Sequence, residues 1–284
     1  MTSRILLLIA LYSAASSASA IELRVGKGNF SNQFSMVNAL TMDFDFPVTN
    51  YSLASQHESL YDSRYFLVYD LTVFDSDYVN KATDFVGSVT NTILNPLSYN
   101  VETEYRFYGV DFNMGLGYDL IKSDSVFFGI GISGGISAPI IASRKPGTQD
   151  LSNLNLLLKV LDTTKTRVQT YKIGPVVSAG YRHESGFNLT ASYAYNYQTG
   201  RINNDYLLSE VDVVGHYTMF DISISYEPST YVPKGVYFVL GYNLKSWNYD
   251  SATVSVAGLQ AAIPSVFDME FKVSNTYLGV GYRF

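Results

Sequence analysis

Apolar and polar positions alternate with a period of two along most of this chain. Between 108 and 120, Tyr108, Val110, Phe112, Met114, Leu116, Tyr118 and Leu120 interleave with Gly109, Asp111, Asn113, Gly115, Gly117 and Asp119. The same scheme sets Phe187, Leu189, Ala191, Tyr193, Tyr195 and Tyr197 against Asn188, Thr190, Ser192, Ala194 and Asn196, and it returns in 171–181 and 128–140. Successive side chains of a strand point to opposite faces, so each segment predicts a strand with one apolar face. Ten segments qualify: 21–29, 36–52, 64–75, 102–120, 126–141, 168–181, 186–197, 213–226, 236–248 and 268–284. Two irregularities interrupt them. Pro175 removes a ladder hydrogen bond, and a bulge is expected there. In 268–284 the apolar residues change phase, from Met269, Phe271 and Val273 to Leu278, Val280, Tyr282 and Phe284; a second bulge near Ser274–Asn275 would reconcile them.

Alternation alone suits a soluble antiparallel sheet as well as a barrel. The aromatic spacing separates the two. Tyr108 and Tyr118, Tyr171 and Tyr181, and Phe187 and Tyr197 each lie ten residues apart on the apolar face. In tilted strands that interval spans roughly 25 Å, the height of a lipid-facing band with an aromatic at each membrane interface. These six residues are therefore the expected interface aromatics. The fold class that follows is all-β, a closed antiparallel transmembrane β-barrel of about ten strands, with eight to twelve fitting the pattern. An even count places both ends on one side. The connections on that side, around 122–125, 183–186 and 227–235, are short, and those opposite, 76–101, 142–167, 198–212 and 249–267, are long. The turn at 53–63 is longer than this asymmetry prefers, and the first loop is short. Residues 151–161 carry a leucine stripe that suits a short loop helix, and Phe85–Leu97 a similar excursion that Pro96 ends.

The N-terminus adds a second signal. Arg4, the apolar run Ile5–Leu11 and the small residues ending Ala18-Ser19-Ala20 form a secretory leader, giving a signal peptide at 1–20 and a barrel domain at 21–284. The apolar run is too short for a membrane anchor, and no later stretch reaches helical spanning length. With 24 Tyr, 17 Phe, 21 Gly and only 15% charged residues, the composition is strand-rich and poorer in charge than a soluble domain. A net charge of −6 without a basic cluster argues against nucleic acid. The absence of cysteine excludes a disulfide scaffold and a thiolate metal site, and no cofactor is expected.

The chain ends Leu278-Gly-Val280-Gly-Tyr282-Arg-Phe284. This ending resembles the C-terminal insertion signal of Gram-negative outer-membrane β-barrel proteins, of the small porin-like kind. The resemblance implies delivery to the barrel-assembly machinery through Phe284. Outer-membrane lipid and lipopolysaccharide are the expected surroundings, and the barrel is expected to be monomeric or weakly associating. It marks no subfamily.

Arg24, Asp43, Asp45, Asp70, Asp111, Lys172, Asp221 and Lys245 are expected to face the lumen. A ten-stranded barrel is narrow, and charges of both signs confined there should pair, which predicts a plugged lumen. The functional alternative is a thin passage along the Gly and Ser wall of 126–141, a porin-like conduit. Surface interaction through the outer loops is the reading preferred. An enzyme is a third class: outer-membrane aspartyl-type proteases resemble this chain in strand number and size, and need an acidic pair and an Asp–His pair at the outer rim. Asp43 and Asp45 sit mid-strand, no Asp-x-His follows them, and of His57, His183 and His216 only the last is placed near the rim. No catalytic or metal-ligating residue is assigned. Trp247 is expected as an interfacial anchor. The sequon Asn188-Leu-Thr190 falls within a strand and is read as chance.

Overall fold

The computed structural model describes residues 20–36, 40–60, 63–85, 99–144, 165–204, 210–228, 232–256, 259–262 and 267–283. Residues 1–19 of the expected leader, the helix expected at 151–161, most of the Phe85–Leu97 excursion and Phe284 lie outside them. The strands are β1 (Ala20–Met36), β2 (Leu40–Ser59), β3 (Tyr65–Asp75), β4 (Val79–Phe85), β5 (Tyr99–Lys122), β6 (Val126–Arg144), β7 (Lys165–Arg182), β8 (Phe187–Asn204), β9 (Glu210–Tyr226), β10 (Val236–Val256), β11 (Leu259–Ala262) and β12 (Phe267–Arg283). Ten of them close a ring. Each pairs antiparallel with its sequence neighbour, and β12 pairs β1. Short β4 continues the line of β3 along β5, and β11 folds back on β10.

Following hydrogen-bonded partners from Leu23 through β2, β3, β5, β6 and β7 arrives on β8 at Thr199; the opposite route through β12, β10 and β9 arrives at Phe187. The ring thus closes with a stagger of twelve residues. At about 3.3 Å per residue and about 4.8 Å between strands, this tilts the strands by about 40°.

The barrel has two storeys with opposite polarity. In the lower one the outer face is greasy: Leu23, Leu116, Ile130, Ile132, Ile173, Leu240 and Leu278 are all exposed. A continuous ring of such side chains is a surface that a bilayer covers. Higher up, the strands run beyond the band and the pattern reverses. On β7 the outward series Tyr181, Val177, Ile173, Tyr171 gives way to Gln169, Arg167 and Lys165. Inside, at the same end, Phe30, Phe46, Phe74, Phe107, Tyr217, Trp247 and Phe271 form a buried apolar core. Phe30 stacks on Phe107 at 3.9 Å, and Phe74 meets Trp247 edge-on at 6.0 Å.

This reversal explains the phase change in the last strand. Pairing of β12 with β1 and with β10 keeps one register throughout, so the bulge expected near Ser274–Asn275 does not exist. Met269, Phe271 and Val273 point into the upper core while Leu278, Val280 and Tyr282 point out below. No register shift occurs at Pro175 either. Pairing with β8 lapses between Ile173 and Val176 and resumes in the same register, because the missing N–H removes a rung without adding a residue. The bulges lie elsewhere: in β2 between Ser55 and Glu58, in β5 between Asp119 and Ile121, and in β10 between Tyr249 and Ser251. The long turn expected at 53–63 is mostly strand, since β2 runs to Ser59.

Candidate functional site

The inner face of the lower storey carries two tiers of ionisable groups. The upper tier joins β3, β5, β6, β7, β9 and β10. Lys172 Nζ donates to Asp111 Oδ1 at 2.5 Å, and Lys245 Nζ lies 3.1 Å from Asp111 Oδ2 while also donating to Asp70. Asp111 further accepts from Ser137 Oγ (2.5 Å), Asn113 Nδ2 (2.7 Å) and the Tyr217 hydroxyl (2.9 Å). Trp247 Nε1 donates to Ser137 Oγ at 2.7 Å, tying the tier to the aromatic core above. Each carboxylate oxygen of Asp111 thus meets several donors. That is the condition under which a buried ion pair is tolerated.

The lower tier centres on Asp221. It accepts from Arg24 Nη1 (2.9 Å), Asn243 Nδ2 (3.0 Å), the Tyr277 hydroxyl (2.6 Å) and Gln56 Nε2. Arg24 also forks onto Glu22 Oε2 at 2.8 and 2.5 Å, and Tyr237 donates to Glu22 Oε1 at 3.1 Å. Between the tiers lies a cavity of about 20 Å³, lined among others by Arg24, Asp70, Asn113, Met219 and Asp221. It has room for about one water molecule.

A third layer forms a floor. In the β2 bulge, Gln56 and His57 oppose the single residue Val68, which turns both side chains inward. The His57 ring stacks between Phe66 (4.4 Å) and Phe127 (3.9 Å), with Nδ1 3.2 Å from Ser178 Oγ and Nε2 3.3 Å from Asp119 Oδ2. Glycine makes room for it: a Cβ on Gly117 or Gly180 would fall 2.2 Å from the Phe66 or Phe127 ring.

Of the eight residues expected in the lumen, Arg24, Asp70, Asp111, Lys172, Asp221 and Lys245 lie in these tiers. Asp45 does not. On β2 it is Phe46, Val48 and Asn50 that point inward, so Asp45 is exposed on the outer face above the band. The side chain of Asp43 lies outside the described residues. Tyr118, Tyr171, Tyr181, Phe187 and Tyr197 are exposed on the outer wall, and Tyr108 is half-buried there. Leu278, Val280 and Tyr282 point outward at the foot of β12. Trp247 is not an interfacial anchor: it is fully buried in the lumen, on the same parity as Lys245. His57, expected in a turn, is the floor residue, whereas His183 does lie in a turn, 2.7 Å from Ser185 Oγ. His216 stands on the outer face of β9, 3.2 Å from Asp250 Oδ2 and stacked on Tyr195 at 5.4 Å. Among the described residues no group of three or more His, Asp or Glu is placed to hold a metal.

The sequence matches no protein-family model and no curated protein. Solved structures match its fold. The outer membrane protease OmpT from Escherichia coli aligns over 93% of this chain and 97% of its own, at 9% identity and a TM-score of 0.54. The fold is that of an outer-membrane β-barrel. The transport unit of the autotransporter AIDA-I from Escherichia coli covers 93% of this chain and 90% of its own at 8% identity and a TM-score of 0.38. The outer membrane protein OprG from Pseudomonas aeruginosa covers 93% and 95% at 11% identity and 0.31. Identities this low speak to architecture only, so the chemistry of the present barrel rests on its own side chains.

Proposed function

We propose that this outer-membrane barrel conducts nothing through its lumen and serves as a surface platform, recognition residing on the storey that stands above the bilayer and on its loops. One observation carries the reading: aromatic core, two ion-paired tiers and the His57 floor succeed one another along the axis, leaving a cavity of about 20 Å³ between the tiers. A hydrated ion has no continuous path through such a stack. Export by the leader at 1–20 and assembly through Phe284 belong to the same proposal. Planar-bilayer recording tests it: the folded barrel is expected to be electrically silent, and steady openings would instead favour the narrow porin-like conduit.

A second reading, a barrel-borne hydrolase, draws on the His216–Asp250 pair, an imidazole and carboxylate in contact on an exposed face. It requires peptide cleavage that is lost on His216→Ala. The sealed-platform reading expects none.

A further inference from the structure

The apolar band is uneven around the barrel. The hydrogen-bonded row from Leu278 through Val25, Tyr51 and Val73 marks its upper edge and continues to Val110 and Ala138, above which Tyr108 and Ile140 extend the band. Because the strands tilt, this row climbs by about 15 Å between β12 and β6. On β6 apolar residues continue outward to Ile140, whereas on β12, β1 and β2 the band stops low. Directly above its low edge the cross-strand row is Thr49, Lys27 and Thr276, then Pro47, Asn29 and Ser274, then Asp45, Ser31 and Lys272. Lys27, Thr276 and Lys272 are exposed.

These lysines differ from three arginines of the outer surface. Arg106 pairs with Asp75, Arg144 with Glu104, and Arg201 with Glu210 and Asp212. Neither Lys27 nor Lys272 makes an ion pair among the described residues. A bilayer meeting a short wall thins or lets headgroups descend along it, and long lysine side chains reach towards phosphates at that level. The two lysines are four residues apart on adjacent strands, about 14 Å between Cα atoms, a span across which two lysine side chains can reach one anionic group from either side.

We propose that the arc of β2, β1 and β12 seats a phosphorylated glycolipid of the outer leaflet, its phosphate held by Lys27 and Lys272 with hydroxyls from Thr49, Thr276 and Ser274 alongside. The lipid chains continue down over Val25, Leu278 and Val280. The inference rests on the outer-membrane reading. A bare polar arc facing hydrocarbon would be unfavourable, and a headgroup supplies the hydrogen bonds that hydrocarbon lacks.

Native mass spectrometry of the detergent-released, folded barrel titrated with bisphosphorylated lipid A tests the site. One lipid is expected to remain bound, and its affinity to fall at least tenfold in the Lys27→Gln/Lys272→Gln double variant. Lys165→Gln, on the opposite wall, is expected to bind as the wild type does. Equal binding by the double variant, equal binding of dephosphorylated lipid A, or a dimer that lipid does not displace would overturn the proposal. The folded state of each variant is read separately from heat-modifiable gel migration. If even the wild type lacks that shift, the outer-membrane reading itself has failed.

Discussion

At the residue scale the consequential group is Asp111, on which two lysines converge, Lys172 from β7 and Lys245 from β10. Removing one partner from a fully buried network leaves charge uncompensated, which costs about 3–5 kcal/mol. Asp111→Asn is therefore expected to destabilise the barrel by about that much in urea unfolding within lipid vesicles. The double variant Asp111→Leu/Lys172→Met should recover most of the loss, since Lys245 keeps Asp70. Trp247 offers a spectroscopic test, being the chain's single tryptophan. Buried in the lumen beside Ser137 and Phe74, it should emit as a shielded indole and resist quenching by brominated lipid chains. Strong quenching would put it on the lipid wall.

At the scale of the strand, position along the membrane normal decides what a side chain should be, and parity alone does not. Ile132→Arg lies in the greasy band of β6 and is expected to cost about 2–4 kcal/mol, as cations at mid-bilayer do. Gln169→Arg, outward on β7 above the band, should shift stability by less than about 0.5 kcal/mol. Paired unfolding measurements in vesicles of defined lipid check both. The same distinction explains what was legible in the sequence. All ten barrel strands show in the alternation, and the six outer-wall aromatics stand on the faces their spacing indicates. What alternation cannot supply is which face is outside once a strand leaves the bilayer. Phe46 and Val48 alternate with Asp45 just as a lipid-facing series would, which puts Asp45 in the lumen, but above the band that apolar face turns inward and Asp45 is exposed. Met269 to Val273 raise the same ambiguity. Trp247 was within reach of parity, two residues from Lys245. The pairings themselves were not: Asp111 with Lys172, Arg24 with Asp221 and His57 with Asp119 link residues far apart in the chain, and the inward turn of His57 depends on a bulge that no turn residue announces.

For the molecule as a whole, bilayer and water impose opposite demands on one continuous cylinder. In lipid, every backbone group must be paired and the closed ring pairs them, so apolar side chains go outward and the interior is left to polar groups. Above the lipid, the ordinary hydrophobic effect returns and the aromatics go inside. The two interiors meet at Trp247, Ser137 and Asp111, which a chain of hydrogen bonds ties together.

Because the chain contains no cysteine, single cysteines can be placed along β7 from Lys165 to Arg182 without background and spin-labelled. Electron paramagnetic resonance with oxygen as the lipid-soluble relaxant and a nickel chelate as the water-soluble one then reads each site's surroundings. The expected profile is lipid exposure at 171, 173, 177 and 181, water exposure at 165, 167 and 169, and protection from both relaxants at 170, 172, 176 and 178. Nickel access at those even positions, or a profile without a two-residue period, would contradict a sealed barrel whose outer face changes solvent partway up.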